Sequence, residues 1–132
     1  MIGVDTNILV RFVIKDDAAE FTKSAAFLAT RTPDRPAYVG LLVLIEFIWV
    51  LRSRYRYSQE QVSFVIDSLL SSSALIFEEQ EFVSALVRSR TVKSGDLADH
   101  LIAFCAEKAG CTSTVTLDEA AASAIPSMEL LA

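Results

Sequence analysis

The sequence predicts an α/β fold, a three-layer α/β/α sandwich built on a central, mostly parallel sheet. Short β-like runs alternate with helical stretches along all 132 residues. One or two helices separate successive strands, which is the arrangement of parallel crossover connections. The chain is 52% hydrophobic and 22% charged, so it has enough apolar material for a real core. Its length predicts one domain, spanning residues 1–132.

Short apolar runs predict the strands, the first of which is expected to be buried. In chain order the strands are 2–4, 37–39, 74–77, 113–116 and 128–130. Apolar residues at three- and four-residue spacing predict helices between them. The first helix passes through Ile8, Leu9 and Phe12, and the second has Phe21, Ala25 and Leu28 on one face. The second and later helices cover 18–30, 41–55, 59–71, 79–90 and 97–109, and a short one starts at Asp118.

Charge and glycine content exclude several classes of protein. The chain has 12 basic and 17 acidic residues, a net charge of −5, so it lacks the uniform positive field of a non-specific nucleic-acid binder. The four glycines are too scattered for a P-loop or a Gly-x-Gly-x-x-Gly turn. His100 is the sole histidine, which excludes a multi-histidine zinc centre.

The sequence predicts a soluble, cytoplasmic protein. Its first residues lack the basic start and apolar stretch of a signal peptide. The longest apolar run, 37–51, contains Glu46 and is shorter than the ~20 residues of a membrane span. Cys105 lies in an apolar helical pattern and is expected to be a buried, reduced thiol.

Glu46 is the only charged residue in the segment 41–51. On a helix its neighbours are all apolar, namely Leu42, Val43, Trp49 and Val50. An ionised carboxylate on such a surface costs several kcal/mol unless it is neutralised, paired or bound to a metal. The alternative is a helix end that reaches solvent, or a salt bridge to an arginine such as Arg52.

Asp5 and Asp118 each follow a predicted strand directly. The carboxyl ends of parallel strands lie along one edge of a sheet, where open α/β folds place their sites. Both aspartates are therefore expected on the same side of the molecule. Capping of the following helices is the alternative role, because aspartate is a favoured N-cap.

Asp96 and Asp99 open the helix predicted over 97–109. Their spacing puts them on one helix face. Asp96 is well placed as the N-cap. Asp99, one turn into the helix, is therefore the better candidate for chemistry, and His100 is expected to be a surface residue.

If Asp5, Glu46, Asp99 and Asp118 converge, their like charges raise one another's pKa. Mg²⁺ and Mn²⁺ relieve this repulsion, because carboxylate oxygens suit hard divalent cations. A cation held in this way activates water as a nucleophile and stabilises developing phosphate charge. The pattern therefore predicts hydrolysis of phosphodiester bonds without histidine or a covalent intermediate.

These segments resemble the PIN domain and, more narrowly, the VapC-type toxin ribonucleases of bacterial toxin–antitoxin pairs. The resemblance rests on Asp-Thr-Asn-Ile-Leu-Val-Arg at residues 5–11, Ile-Glu-Phe-Ile-Trp-Val-Leu at 45–51, Asp-Leu-Ala-Asp-His-Leu-Ile-Ala at 96–103 and Thr-Leu-Asp at 116–118. It implies the sandwich fold, a Mg²⁺- or Mn²⁺-dependent endoribonuclease that cuts RNA, and a homodimer. It also implies inhibition by a small antitoxin protein.

The resemblance carries specific roles to this chain. Asp5, Glu46, Asp99 and Asp118 match the acidic, metal-binding and catalytic positions of the family. Asn7 and Thr116 match polar positions that orient these carboxylates or water. Asp96 is a further acidic contributor, for which the N-cap role is favoured. Many relatives have a basic residue after the last aspartate, where this chain has Glu119.

Basic residues must offset the acidic pocket if RNA is to bind. The local concentrations are Arg11, the group Arg52, Arg54 and Arg56 with Tyr55 and Tyr57, and the group Arg88, Arg90 and Lys93. Arginine beside tyrosine suits phosphate contacts and base stacking. The alternative is that these arginines only solvate a helix end and complement its dipole.

Two other functions compete with the ribonuclease hypothesis. An aspartate-based phosphotransferase would use Asp5 as its nucleophile, but the chain has Asn7 where such a motif normally has a second aspartate. A non-catalytic acidic interaction module would use the same carboxylates only as helix caps.

Overall fold

The computed structural model describes residues 1–89 and 96–131. The chain divides into two compact units, Met1–Arg88 and Ser89–Ala132, and each is described by itself. Arg90 and Lys93, with the end of the helix predicted over 79–90, lie outside the described residues.

The first unit contains a three-stranded parallel sheet in the order β1-β2-β3. Its elements are β1 (Ile2–Gly3), α1 (Thr6–Val13), α2 (Ala18–Ala29), β2 (Ala37–Val39), α3 (Leu41–Ser53), α4 (Gln59–Leu70), β3 (Leu75–Phe77) and α5 (Gln80–Arg88). Ile2 is in register with Ala37, which in turn is in register with Leu75. Two helices separate β1 from β2 and β2 from β3, as the sequence predicted.

The central strand β2 is buried and the edge strand β1 is not. Ala37 and Val39 are almost fully buried, whereas Ile2 is 47% exposed. The prediction of a buried first strand is therefore wrong. Within the described three-stranded sheet of the first unit, β1 pairs with β2 alone. Val4, directly after β1, is buried, and its N–H donates to the Tyr38 carbonyl oxygen at 3.0 Å.

The core of the first unit is built by the helices packed around this sheet. Helix α3 contributes the most to it, because its residues Leu44, Phe47, Ile48 and Leu51 are all almost fully buried. Leu9 of α1 and Val62 and Ile66 of α4 are also fully buried. Each such side chain contributes about 1.5–3 kcal/mol through removal of its apolar surface from water.

Helix α3 begins without a side-chain cap of its own, since its N-cap is Gly40. The Leu41 N–H instead donates to Glu78 Oε1 at 2.9 Å, across 37 residues of chain. Glu78 lies directly after β3, at the same sheet end as Gly40, which follows β2. A carboxylate at a helix N-terminus also interacts favourably with the helix dipole.

The second unit has two parallel strands and two helices. They are α6 (Leu97–Lys108), β4 (Thr114–Thr116), α7 (Glu119–Ala124) and β5 (Met128–Leu130), with Thr114 in register with Met128. Ala103, Ala121, Ile125 and Met128 form a small core in this unit. The bounds of α6, β4 and β5 match the sequence predictions within one residue at each end, and α7 starts one residue after its predicted start.

Cys105 is exposed, so the prediction of a buried thiol is wrong. It lies two residues from the core residue Ala103, or about 200° around the helix axis. Cys105 therefore lies on a different face of α6.

Within the part of the chain that the structure describes, no helix is long and apolar enough to cross a bilayer.

We expect Glu78→Ala to lower the free energy of unfolding by about 1 kcal/mol, because the Leu41 amide loses its partner. Glu78→Gln keeps an acceptor oxygen and should lose less. Urea denaturation of both variants measures the difference. Equal stability of Glu78→Ala and the parent chain would show that this contact does not cap the helix.

Candidate functional site

Asp5 lies at the carboxyl side of β1 and is the N-cap of α1. Its Oδ1 accepts a hydrogen bond from the Thr6 N–H at 2.7 Å. The side chain is exposed, and within residues 1–89 and 96–131 no hydrogen bond reaches its Oδ2. The capping role weighed for Asp5 is therefore confirmed, but it occupies only one of the two oxygens.

The next two residues differ in their exposure. Thr6 is 4% exposed, and its buried Oγ1 has no hydrogen-bond partner. Asn7 is exposed, and its amide has no hydrogen-bond partner in the described part of the chain. Asn7 is thus available to a ligand, while Thr6 belongs to the interior.

Glu46 lies on the exposed side of α3, so the prediction that apolar surroundings desolvate it is wrong. Its neighbours Leu42 and Trp49 are themselves 85% and 65% exposed. The core face of the helix is formed by other residues, among them Phe47 and Ile48. Glu46 is therefore flanked by apolar side chains in water, and its charge needs no partner.

Asp96 and Asp99 form a reciprocal cap at the start of α6. Asp96 Oδ1 accepts from the Ala98 N–H at 3.0 Å. The carboxylate of Asp99 accepts a hydrogen bond from the Asp96 backbone. The N-cap role predicted for Asp96 is confirmed, and the exchange resembles a capping box.

The pKa of Asp99 is raised above its ordinary value. Burial is the main cause, and the negative charges of Asp96 and Asp118 add to it. His100 and the hydrogen bond from Asp96 act in the opposite direction. Asp99 is thus close enough to Asp96 and to Asp118, within the second unit, to be repelled by the charge of each. His100 is half-buried rather than a surface residue, and its Nε2 is buried without a hydrogen-bond partner.

Asp118 is the N-cap of α7, directly after β4. Its Oδ1 accepts from the N–H groups of Ala120 and Ala121, at 2.9 and 3.1 Å. Thr116 Oγ1 accepts from the Asp118 N–H at 3.0 Å. Thr116 therefore holds the backbone that carries Asp118.

Asp5 and Glu46 belong to the first unit, and Asp99 and Asp118 belong to the second. Within either unit, the described residues contain no group of three or more His, Cys, Asp or Glu side chains that could hold a metal ion. The single site formed by all four carboxylates therefore stays a prediction.

Arg11 is held by carboxylates instead of standing free for RNA. Arg11 Nη1 lies 3.0 Å from Asp16 Oδ1. Arg11 Nε lies 2.6 Å from Glu20 Oε2, but the N–H is not aligned for a hydrogen bond. Burial alone acts to lower the pKa of Arg11, but the charges of Glu20 and Asp16 outweigh it and raise the pKa. Tyr55 also contacts this network, since its hydroxyl lies 3.3 Å from Asp16 Oδ2.

The other predicted basic residues differ in their availability. Arg54 and Arg56 are exposed, and neither has an ion-pair partner within the described residues. Arg52 is half-buried and already has an interaction partner. Arg88 Nε is paired with Asp67 Oδ1 at 2.7 Å. Arg56 has a φ of 56°, in the left-handed region that favours glycine.

A cavity of about 310 Å³ is lined by Asn7 together with Lys23 and Ser24, two residues that were not predicted from the sequence. Ser24 is 4% exposed. A signal for it exists, because Ser24 lies three residues after Phe21 and four before Leu28, on the predicted apolar face of α2.

We expect the Asp99→Asn variant to be more stable than the parent in the absence of metal, and the difference in stability to grow as the pH rises. A raised pKa means that the folded chain holds a proton which the unfolded chain releases, so the parent loses stability as pH increases through this range. Thermal unfolding in EDTA between about pH 4 and about pH 7 measures the difference. Asp67→Asn, which breaks the pair with Arg88, is the control and should not stabilise. A pH-independent difference between Asp99→Asn and the parent would contradict the assignment.

A scan against protein families matches residues 2–125 to the PIN domain. Comparisons with curated proteins and with solved structures found no match. PIN domains combine helices with a parallel sheet, which confirms the predicted α/β fold class and is consistent with an α/β/α sandwich. They are typically metal-dependent nucleases, so the family indicates a hydrolase that acts on nucleic acid. Since the match covers nearly the whole sequence, the chain belongs to the PIN-domain family.

Proposed function

We propose that the chain is a Mg²⁺- or Mn²⁺-dependent endoribonuclease, the toxin of a toxin–antitoxin pair, acting in the cytoplasm. One observation carries the proposal beyond family membership. Asp5 and Asp118 follow parallel strands, and each caps a helix through one carboxylate oxygen. The second oxygen of each has no hydrogen bond within the described residues. Capping thus fixes each carboxylate and leaves it an acceptor for a cation.

The donors fit a hard divalent cation. Asp5, Glu46, Asp99 and Asp118 offer carboxylate oxygens, which Mg²⁺ and Mn²⁺ prefer. The raised pKa of Asp99 arises first from burial and then from the negative charges of Asp96 and Asp118, and a bound cation would favour its ionised form. When bound, the ion supplies a nucleophilic water at neutral pH and stabilises the charge that develops on the phosphate.

Each residue has a distinct task in this proposal. Asp5 and Asp99 are the principal ligands, and Glu46 and Asp118 complete the acidic pocket. Thr116 holds Asp118 through its hydrogen bond to the backbone. Asn7, which is exposed and follows Asp5 by two residues, orients water or substrate.

Arg54 and Arg56 are the proposed RNA contacts among the predicted arginines, because both are exposed and uncompensated in the described part of the chain. The left-handed backbone of Arg56 costs a non-glycine residue about 1 kcal/mol or more. A residue kept there against its conformational preference supports a role for its side chain. Arg11 instead braces the start of α2 through Glu20.

An apolar groove of the first unit supports antitoxin binding. It has a volume of about 410 Å³, and its walls include Phe12 of α1, Ala25 and Leu28 of α2 and Leu69 of α4. A groove of this kind suits the apolar face of a helix from a small partner protein. We propose that the antitoxin occupies it.

We also propose a homodimer. Large apolar side chains are exposed on α3 and α4, namely Leu42, Trp49 and Phe64. Exposed apolar side chains on neighbouring helices are typical of surfaces that associate with other proteins.

The capping bonds equally favour a second function, an acidic interaction module that binds no metal. In such a module Asp5, Asp96 and Asp118 act only as N-caps. The two functions differ in their response to substitution by asparagine. Asparagine is as good an N-cap as aspartate but a poor ligand for Mg²⁺.

We expect the antitoxin-free protein to cut single-stranded RNA in the presence of Mg²⁺ or Mn²⁺. Asp5→Asn should reduce the rate at least about 100-fold, because it removes a ligand of the ion while keeping the cap. Gel analysis of a labelled RNA measures the rate. Asp34→Asn, at an exposed aspartate with no proposed role, is the matched control and should cut at the parent rate.

Cleavage that continues in EDTA, or an Asp5→Asn variant as active as Asp34→Asn, would refute the proposed mechanism. Absence of cleavage under every metal condition, with normal folding, would favour the interaction module.

A further inference from the structure

The cavity between α1 and α2 is separate from the proposed ion ligands. Its lining residues are Asn7, Ile8 and Arg11 of α1 and Glu20, Lys23 and Ser24 of α2, and we refer to it as the α1–α2 pocket. Asn7 lies two residues after Asp5, so the pocket begins beside the start of α1.

Ser24 is the least expected residue of this pocket. It is 4% exposed, so nearly all of its surface is removed from bulk water. Other hydroxyls on helices donate to a carbonyl four residues earlier, as Thr22 does to Ala18 at 2.8 Å. Ser24 makes no hydrogen bond to any described residue. Its hydroxyl oxygen is not among the fully buried unpartnered atoms, so it remains accessible in the pocket and can hydrogen-bond a ligand there.

Lys23 supplies the charge of the pocket. Arg11 is compensated by Asp16 and Glu20. Lys23 is exposed, and within residues 1–89 and 96–131 no carboxylate pairs with it. Among the residues that line the pocket, Arg11 and Lys23 are positive and Glu20 is negative, so the lining itself carries one net positive charge and favours an anionic group.

The size of the pocket limits the ligand. Its volume of about 310 Å³ lies at the lower end of the roughly 300–1,000 Å³ range of small-molecule sites. One nucleotide-sized group fits such a volume, whereas a folded partner does not. A lysine ammonium group binds a phosphate as a point charge, and the serine hydroxyl and asparagine amide can hydrogen-bond the polar edge of a nucleotide.

We propose that the α1–α2 pocket binds one nucleotide of the RNA substrate, with its phosphate at Lys23 and its polar edge at Ser24 and Asn7. This assignment rests on the proposed ribonuclease function. The pocket is thus a substrate-binding subsite that holds the strand beside Asp5, and it takes no part in the bond cleavage itself.

The salt dependence of RNA affinity tests the role of Lys23. We expect Lys23→Ala to reduce the slope of log affinity against log salt by about 0.7, the value for one lost phosphate contact on a single strand. Fluorescence anisotropy with a labelled single-stranded RNA in EDTA measures it without cleavage. Lys15→Ala removes the same charge from the turn between α1 and α2, outside the pocket, and should leave the slope unchanged.

Ser24→Ala tests the hydroxyl that lines the pocket. We expect it to weaken RNA binding about threefold to tenfold, because one hydrogen bond to the strand is lost. It should unfold at the same temperature as the parent or higher, because no protein group loses a partner. Thr22→Ala on the same helix is the control, with unchanged RNA affinity.

The outcomes separate this subsite from the proposed function. If the parent cuts RNA but Lys23→Ala and Ser24→Ala bind RNA as the parent does, the subsite is wrong and the ribonuclease stands. If the parent neither binds nor cuts RNA, the proposed ribonuclease function is wrong, and the subsite that rests on it is wrong as well. A separate experiment adds inorganic phosphate and measures the unfolding temperature. A shift with phosphate that Lys23→Ala abolishes, without any effect on RNA, would identify a free-phosphate site and overturn the assignment.

Discussion

The burial of Asp99 beside two other carboxylates is the constraint on which the proposed ion site depends. Burial is the main cause of the raised pKa of Asp99, and the negative charges of Asp96 and Asp118 raise it further. Such an arrangement disfavours the charged form unless a cation compensates it. Helix N-termini limit the penalty, because the Ala98 N–H donates to Asp96 and the N–H groups of Ala120 and Ala121 donate to Asp118. The Thr6 N–H donates to Asp5 in the same way. Capping and ion binding are therefore complementary uses of the same residues.

The sequence predicted the elements well where local signals and burial agree. Strand β2 is flanked by Pro36 and Gly40, and it was predicted residue for residue because turn residues bound an apolar run. Helix α4 likewise starts with a Ser58–Gln61 capping box that fixes its first turn. The capping aspartates were found for the same reason, since a cap is a local feature.

Predictions that required knowledge of packing were less successful. Helix α3 is apolar on nearly every face, so its sequence does not reveal which face is buried, and Glu46 was assigned to the wrong environment. The prediction for Cys105 was wrong for a similar reason, because its exposure depends on which side of α6 meets the core. Lys23 and Ser24 were overlooked because a pocket forms only when α1 packs on α2. The contact from Glu78 to Leu41 spans 37 residues and has no local signal.

Binding of Mn²⁺ tests most directly whether acids from both units serve one ion. Isothermal titration of the parent, Asp5→Asn, Asp99→Asn and the double variant compares their affinities. If the two acids share an ion, each single change weakens binding at least about tenfold and the double change adds little further loss. Unaltered affinity in either single variant would contradict a shared ion.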